Sequence, residues 1–256
     1  MNKPLVHTVH YRGKREQPLN NVFIHAPTII WVDQGFKKLW WHEQNLEFNR
    51  ANWILVPAGQ YLTFVNTPEQ KLFHSRAMAL NLPPPKDWLE PEKAIEPNNF
   101  PQIATTPQLE YCFELVSEMG NKGLSYQTQK QLLLGFYAEL REMGALTKLF
   151  PNNQQMVRDK LANYLSSAPG DDHRIEVAAS HLAMSRASLA RKLTAEGSSF
   201  REVLAEIRMN HAIYLLQQDF SQMETALACG YQSEARFSQR FKQQFGITPH
   251  QYKGTL

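Results

Sequence analysis

Between Asn21 and Leu82 apolar and polar positions trade places in short runs. Phe23 and His25, then Ile29, Trp31 and Asp33, then Phe36, Leu39 and Trp41 alternate imperfectly or run apolar, and the β-rich run 52–56 stops at Pro57, Ala58 and Gly59. Turn signals recur at Gln34-Gly35, Ala58-Gly59 and Thr67-Pro68. Strands at this spacing with no helix between them predict a sandwich or barrel. Prolines at 83, 84, 85, 91, 97, 101 and 107 then predict a connector without core elements. After Pro107 the period becomes helical. Leu109, Cys112, Phe113, Leu115 and Val116 form one stripe; Leu132, Leu133, Leu134, Phe136, Tyr137, Leu140 and Met143 form a broader one, and the break at Gly120 to Gly123 makes the pair a helical hairpin. The second arm is apolar on more than one face, so it packs on the barrel and on a second surface, either a partner chain or more of its own chain.

From Gln154 onward the pattern is helical throughout. Met156, Leu161, Tyr164 and Leu165 open it, residues 168–172 break it, and a long helix from Phe200 to Gln217 carries Val203, Leu204, Ile207, Ala212, Leu215 and Leu216 at helical spacing. Sliding this region by 48 positions superimposes Ser185 on Ser233, Leu189 on Phe237 and Leu193 on Phe241, with Ala178 and Ala226 upstream. Each copy reads as a short helix, a turn of three or four residues, a serine cap and inward apolar residues four apart, which is the form of a helix-turn-helix. The outer faces are polar: Arg186, Ser188, Arg191 and Lys192 in the first copy, and Glu234, Arg236, Ser238, Gln239, Arg240 and Lys242 in the second. Arg pairs with guanine edges and Gln with adenine, while Lys and Ser more often hold phosphate. A merely solvated charged face has the same composition.

Composition narrows the function classes. The 256 residues suit two modules, expected at 1–150 and 151–256, with ordinary globular content: 43% hydrophobic, 20% charged. No run of eighteen apolar residues occurs and the first residues lack the apolar core of a secretory signal, so a cytoplasmic protein without membrane contact is expected. Cys112 and Cys229 lack metal-ligand spacing. The net charge of only +3 makes any nucleic-acid reading depend on where particular cations fall. His7, His10, His25, His42 and His74 never fall at the His-x-His spacing of a metal-binding strand, and phosphate-loop and nucleophile-elbow motifs are missing, so neither a cofactor nor an enzymatic role is expected. The aromatic set Trp31, Trp40, Trp41, Trp53, Tyr61 and Phe64 could line a pocket for a small effector or simply pack a core; Trp31, Trp41, Trp53, Tyr61 and Phe64 are the effector-binding candidates.

Two stretches go further. GYQSEARFSQRFKQQFGITPHQYK, Gly230 to Lys253, resembles the signature of AraC/XylS-type transcription regulators, and VAASHLAMSRASLARKLTAEGSSFREVLAEIRMNHAIYLL, Val177 to Leu216, resembles the preceding half of the same domain. Ala235 stands where serine or glycine is common and Lys253 where arginine is usual. The resemblance implies an α+β chain of two domains: a cupin-like N-terminal β-barrel with a helical hairpin that senses an effector and dimerises, and an all-α C-terminal domain with two helix-turn-helix units. It implies two recognition helices joined by the Phe200 to Gln217 rod and reading successive major grooves about 34 Å apart. By motif position Arg186, Ala187, Ala190 and Arg191 would face bases in the first unit, beside Ser188 and Lys192. Glu234, Ala235, Arg236, Ser238 and Gln239 would do so in the second, with Arg240 and Lys242 nearer the backbone. Arg208 would make a structural ion pair, and Gly246, Thr248 and Pro249 would be helix stop and cap. The implied partners are double-stranded promoter DNA, RNA polymerase contacted by an activator, a second copy through residues 107–145, and a small-molecule effector. The opposing reading is a ligand-binding or catalytic barrel carrying a helical interaction module.

Overall fold

A computed structural model describes residues 4–89, 101–151 and 156–256 of the chain. Among the described residues, nine strands form two antiparallel sheets that share a core. The five-stranded sheet runs β1 (Val6–Gly13), β8 (Phe73–Leu80), β3 (Thr28–Gln34), β6 (Asn52–Val56) and β9 (Gln102–Ala104). The four-stranded sheet runs β2 (Gln17–Ile24), β7 (Gln60–Thr67), β4 (Phe36–Trp41) and β5 (Gln44–Phe48). The cupin-like module is therefore a pair of open sheets and not a closed barrel. Strands begin at Val6, earlier than the alternation indicates, because β1 and β2 carry polar residues and Pro18 on their outward faces. The proline-rich connector also contains a core element: β9 pairs with β6 and buries Ile103. The part of that connector at residues 90–100 lies outside the described residues.

The hairpin forms as its periodicity requires. Helix α1 (Pro107–Glu118) is capped by Thr106 with proline in its first turn, α2 (Tyr126–Glu142) is capped by Ser125, and the short α3 (Leu146–Leu149) follows. Helices α1 and α2 lie on the outer face of the five-stranded sheet, where Trp31 meets Phe113 edge-on at 5.4 Å and Trp53 meets Phe136 at 6.1 Å. That cover is why the first five residues of β3 are buried on both faces. The second apolar face of α2 is taken up largely within the chain: Leu133, Phe136, Tyr137 and Leu140 are buried in this core, with Leu132 and Leu134 packed against it. Tyr111, Leu115, Tyr126 and Met143 stay exposed on the hairpin.

On the inner side, alternation along β4 sends Lys37 and Leu39 inward and Lys38 and Trp40 outward. Register does the rest. Asn66 of β7 stands opposite Lys37 of β4 on one side and Gln17 of β2 on the other, so three polar side chains form a row across the buried face. The Lys37 ammonium donates to Asn66 Oδ1 and lies 3.6 Å from the centre of the Phe64 ring. Burial pushes its pKa down to about 7. The folded chain thus releases this proton near pH 7, whereas an unfolded lysine keeps it until about pH 10.4. Between those limits the unfolded state binds more protons, so stability rises with pH. Unfolding free energy of the wild type, measured against Lys37→Met to cancel all other titrations, is expected to increase by about 2 kcal/mol from pH 7 to pH 9; urea denaturation at both pH values checks this, and a flat difference would place the ammonium in water.

Candidate nucleic-acid interface

The C-terminal helices are α4 (Val157–Leu165), α5 (Ile175–His181), α6 (Arg186–Ala195), α7 (Phe200–Gln217), α8 (Gln222–Ala228), α9 (Glu234–Phe245) and α10 (Pro249–Lys253). Their boundaries follow local chemistry. Ser185, Ser199 and Ser233 cap α6, α7 and α9 through side-chain oxygens, and Ser221 and Thr248 build full capping boxes on α8 and α10. Gly246, at φ +83°, closes α9 in the left-handed conformation. Leu189 and Leu193 of α6 and Phe237 and Phe241 of α9 are fully buried, which fixes the rotation of each second helix and turns its polar side outward.

The two units differ by one residue in the turn. The amide of Met184 bonds the Ala179 carbonyl in the first, and that of Tyr231 bonds the Ala226 carbonyl in the second, an offset of 47, while the caps Ser185 and Ser233 are offset by 48. Ala226 therefore corresponds to Ala179 and not to Ala178, and the second turn carries the extra residue. Left-handed backbone falls at Ala183 in one turn and Gly230 in the other.

Arg186, Ala187, Ala190, Arg191 and Lys192 are exposed on α6, with Ser188 half-buried under its cap. Arg186 meets Glu176 of α5 at 3.0 Å, but both are exposed and such a pair is readily exchanged for another partner. On α9, Glu234, Ala235, Arg236, Gln239 and Lys242 are exposed, whereas Ser238 and Arg240 are half-buried. Glu234 accepts from Gln222 Nε2 at 2.7 Å, and Arg240 donates to Gln243 Oε1 at 3.1 Å, lying along the helix. Two rows of polar and cationic side chains thus face solvent on two capped helices, each packed in its own core, with α7 contributing residues to both.

Arg208 is structural, with a different partner from the expected acid: its guanidinium donates to the carbonyls of Pro169 at 3.1 Å and Asp171 at 2.9 Å. It thereby ties the α4–α5 loop to the second turn. Gly170 and Gly230 meet there, and a methyl group at Gly230 would sit 2.7 Å from Arg208 Nη2 and 2.8 Å from the Gly170 carbonyl oxygen.

The domain also docks on the sheets. A β-bulge between Leu19 and Val22 takes in Asn21, whose carbonyl accepts from Gln244 Nε2, and just past the bulge the Phe23 carbonyl accepts from Asn210 Nδ2. Arg158 of α4 lies 4.2 Å from the Phe23 ring centre and pairs with Glu206 of α7 at 2.8 Å, and Tyr61 of β7 donates to the same carboxylate. The five effector candidates are not brought together. Trp31 and Trp53 belong to the core under the hairpin, Phe64 and Trp41 to the core between the sheets, and Tyr61 to the junction with α4 and α7.

Residues 178–255 match a family model described as a helix-turn-helix domain. The chain is 32% identical over 97 residues to the porin thermoregulatory protein EnvY of Escherichia coli, 38% of each chain, and 26% identical over 148 residues to the urease operon transcriptional activator of E. coli, 57% of this chain and 49% of that one. The helical domain belongs to the AraC/XylS family. The matched segments span less than half the length of these two relatives. Over the whole chain the fold is that of ToxT from Vibrio cholerae, whose structure with a bound unsaturated fatty acid has a TM-score of 0.58 at 17% identity, covering 100% of this chain and 97% of that one. The AraC-type domain therefore sits in the same two-domain fold, and the polar row Gln17, Asn66 and Lys37 lies at its junction with the sheets without having been picked out as functional by sequence reasoning. Strict alternation from Leu39 and Trp41 back to Lys37 was the available signal.

Within the AraC-type domain the glycine contact sets a measurable cost. Gly230→Ala is expected to lower stability by more than Gly197→Ala, since both positions have positive φ but only Gly230 lacks space; the strain alone is about 1–2 kcal/mol, and equal losses in urea unfolding would remove the steric claim.

Proposed function

We propose that the protein is a sequence-specific DNA-binding transcription regulator, an activator that contacts RNA polymerase, and not an enzyme. The observation that carries this reading is the pair of exposed polar faces on α6 and α9, held in one domain of AraC type by α7. In this reading Arg186, Arg191 and Arg236 read guanine, Gln239 adenine, and Lys192 and Lys242 hold phosphate, and the exposure of all six supports it. Activation is supported by the description of the urease operon activator as such. A homodimer through residues 107–145 is supported by the exposed Tyr111, Leu115, Tyr126 and Met143.

For the effector, the reading narrows to an amphipathic carboxylate. ToxT holds an unsaturated fatty acid in the same fold, and here a buried ammonium, Lys37, lies among Leu39, Phe64 and Phe73. Of the aromatic candidates, Phe64 stays with this site and Trp41 packs against the same core, while Trp31, Trp53 and Tyr61 lie elsewhere.

The DNA reading is tested with a fragment selected from a random library. Arg191→Ala is expected to weaken binding to the selected fragment by about 1–3 kcal/mol and to leave random DNA nearly unaffected. Equal losses on both would reduce Arg191 to a phosphate contact, and binding by the wild type without salt dependence would end the regulator reading.

A further inference from the structure

Four side chains buried almost completely in this chain, Gln17, Lys37, Asn66 and Gln217, belong to one hydrogen-bonded path from the space between the sheets to the end of α7. Lys37 donates to Asn66 Oδ1; Asn66 Nδ2 donates to Gln17 Oε1 at 3.0 Å; Gln17 Nε2 donates to the Arg12 carbonyl at 3.0 Å and to Thr255 Oγ1 at 2.9 Å. The Arg12 carbonyl also accepts from Gln217 Nε2 at 3.0 Å, and the Arg12 amide donates to Gln217 Oε1 at 3.0 Å. Gln217 in turn donates to the Tyr252 hydroxyl at 2.7 Å. Beside the path, the amides of Lys14 and Arg15 both reach the Thr255 carbonyl, fastening the segment after α10 to the β1–β2 turn.

The path has a direction. While Lys37 is charged its ammonium only donates, and a carbonyl only accepts, so Lys37 at one end and Arg12 at the other fix which way both intervening amides face. Thr255 Oγ1 already donates to the Tyr252 carbonyl at 2.6 Å, which leaves it an acceptor toward Gln17. Reversing Asn66 would force Gln17 to reverse and set its oxygen against the Arg12 carbonyl, an unpaired contact in a buried place. Gly13 keeps the room for this arrangement, since a methyl group there would lie 2.6 Å from Gln17 Nε2.

We infer that the row Lys37–Asn66–Gln17 is a polarised relay that latches the AraC-type domain to the sheets, so that whatever draws the Lys37 ammonium from Asn66 frees the Thr255 and Gln217 end. Two arrangements of the same amides, one docked and one not, make the junction a switch and not a hinge. This inference is independent of which effector, if any, meets Lys37.

Hydrogen exchange on the full chain tests it. Asn66→Asp gives Lys37 a counterion yet removes the donor to Gln17, and Gln17→Glu keeps an acceptor for Asn66 yet removes the donors to Arg12 and Thr255. Both are expected to speed exchange of the Lys14 and Arg15 amides at least tenfold while the amides pairing β3 with β6 stay protected. Leu62→Val, on the same face of β7 but outside the row, is expected to leave Lys14 and Arg15 protected. The proposal falls if both relay variants keep wild-type protection at Lys14 and Arg15, or if Leu62→Val frees those amides equally.

Discussion

A helix that is apolar around most of its girth must be covered around most of its girth, and α7 sets this constraint on everything near it. Val203 and Ile207 complete the core of the first helix-turn-helix; Met209, Ala212, Ile213, Leu215 and Leu216 join that of the second and, through it, the core between the sheets. Removing so much apolar surface from water is the main stabilising term available at the junction. It also decides where polar groups sit, because Glu206 and Gln217 are carried into the interior by the same rod and must find partners there. They find them on both sides, Glu206 with Arg158 and Tyr61, Gln217 with Arg12 and Tyr252. The positions of α6 and α9 and the position of the sheets are thus set by one element.

Much of this was legible in the residues. The limits of α7, the caps Ser185, Ser233 and Thr248, and the outward set on α6 and α9 all follow from short-range rules that need no tertiary knowledge. What resisted was decided by partners distant in the chain. Strand β1 looks too polar for a sheet because its neighbour β8 and helix α7 supply the cover. Strand β9 hides among prolines because pairing with β6 outweighs its weak local preference. The aromatic residues of the strands share a composition that a pocket would also have, and only the sheet topology divides them among separate cores. The partner of Arg208 was missed for a related reason: backbone carbonyls carry no sequence signature, so a guanidinium satisfied by Pro169 and Asp171 looks the same on paper as one awaiting an acid.

Buried polar groups in this molecule follow a pattern of their own. Those in the row across β2, β7 and β4 are arranged by register alone, since residues directly opposite on adjacent strands must share a face. A one-residue slip in any of the three strands would turn its member of the row outward and leave the others unsatisfied. The bulge in β2 absorbs such an irregularity beyond Leu19, where it harms nothing in the row and presents the Asn21 carbonyl to Gln244.

The extra residue in the second turn means that the duplicated units have stopped being interchangeable parts. A second helix grafted from one slot to the other would arrive with its cap displaced along the chain and its buried pair, leucines in one case and phenylalanines in the other, aimed at a seat of the wrong size. Exchange between the slots must move turn and helix together as a cassette, whereas point replacement on the outer face leaves either slot's seat intact.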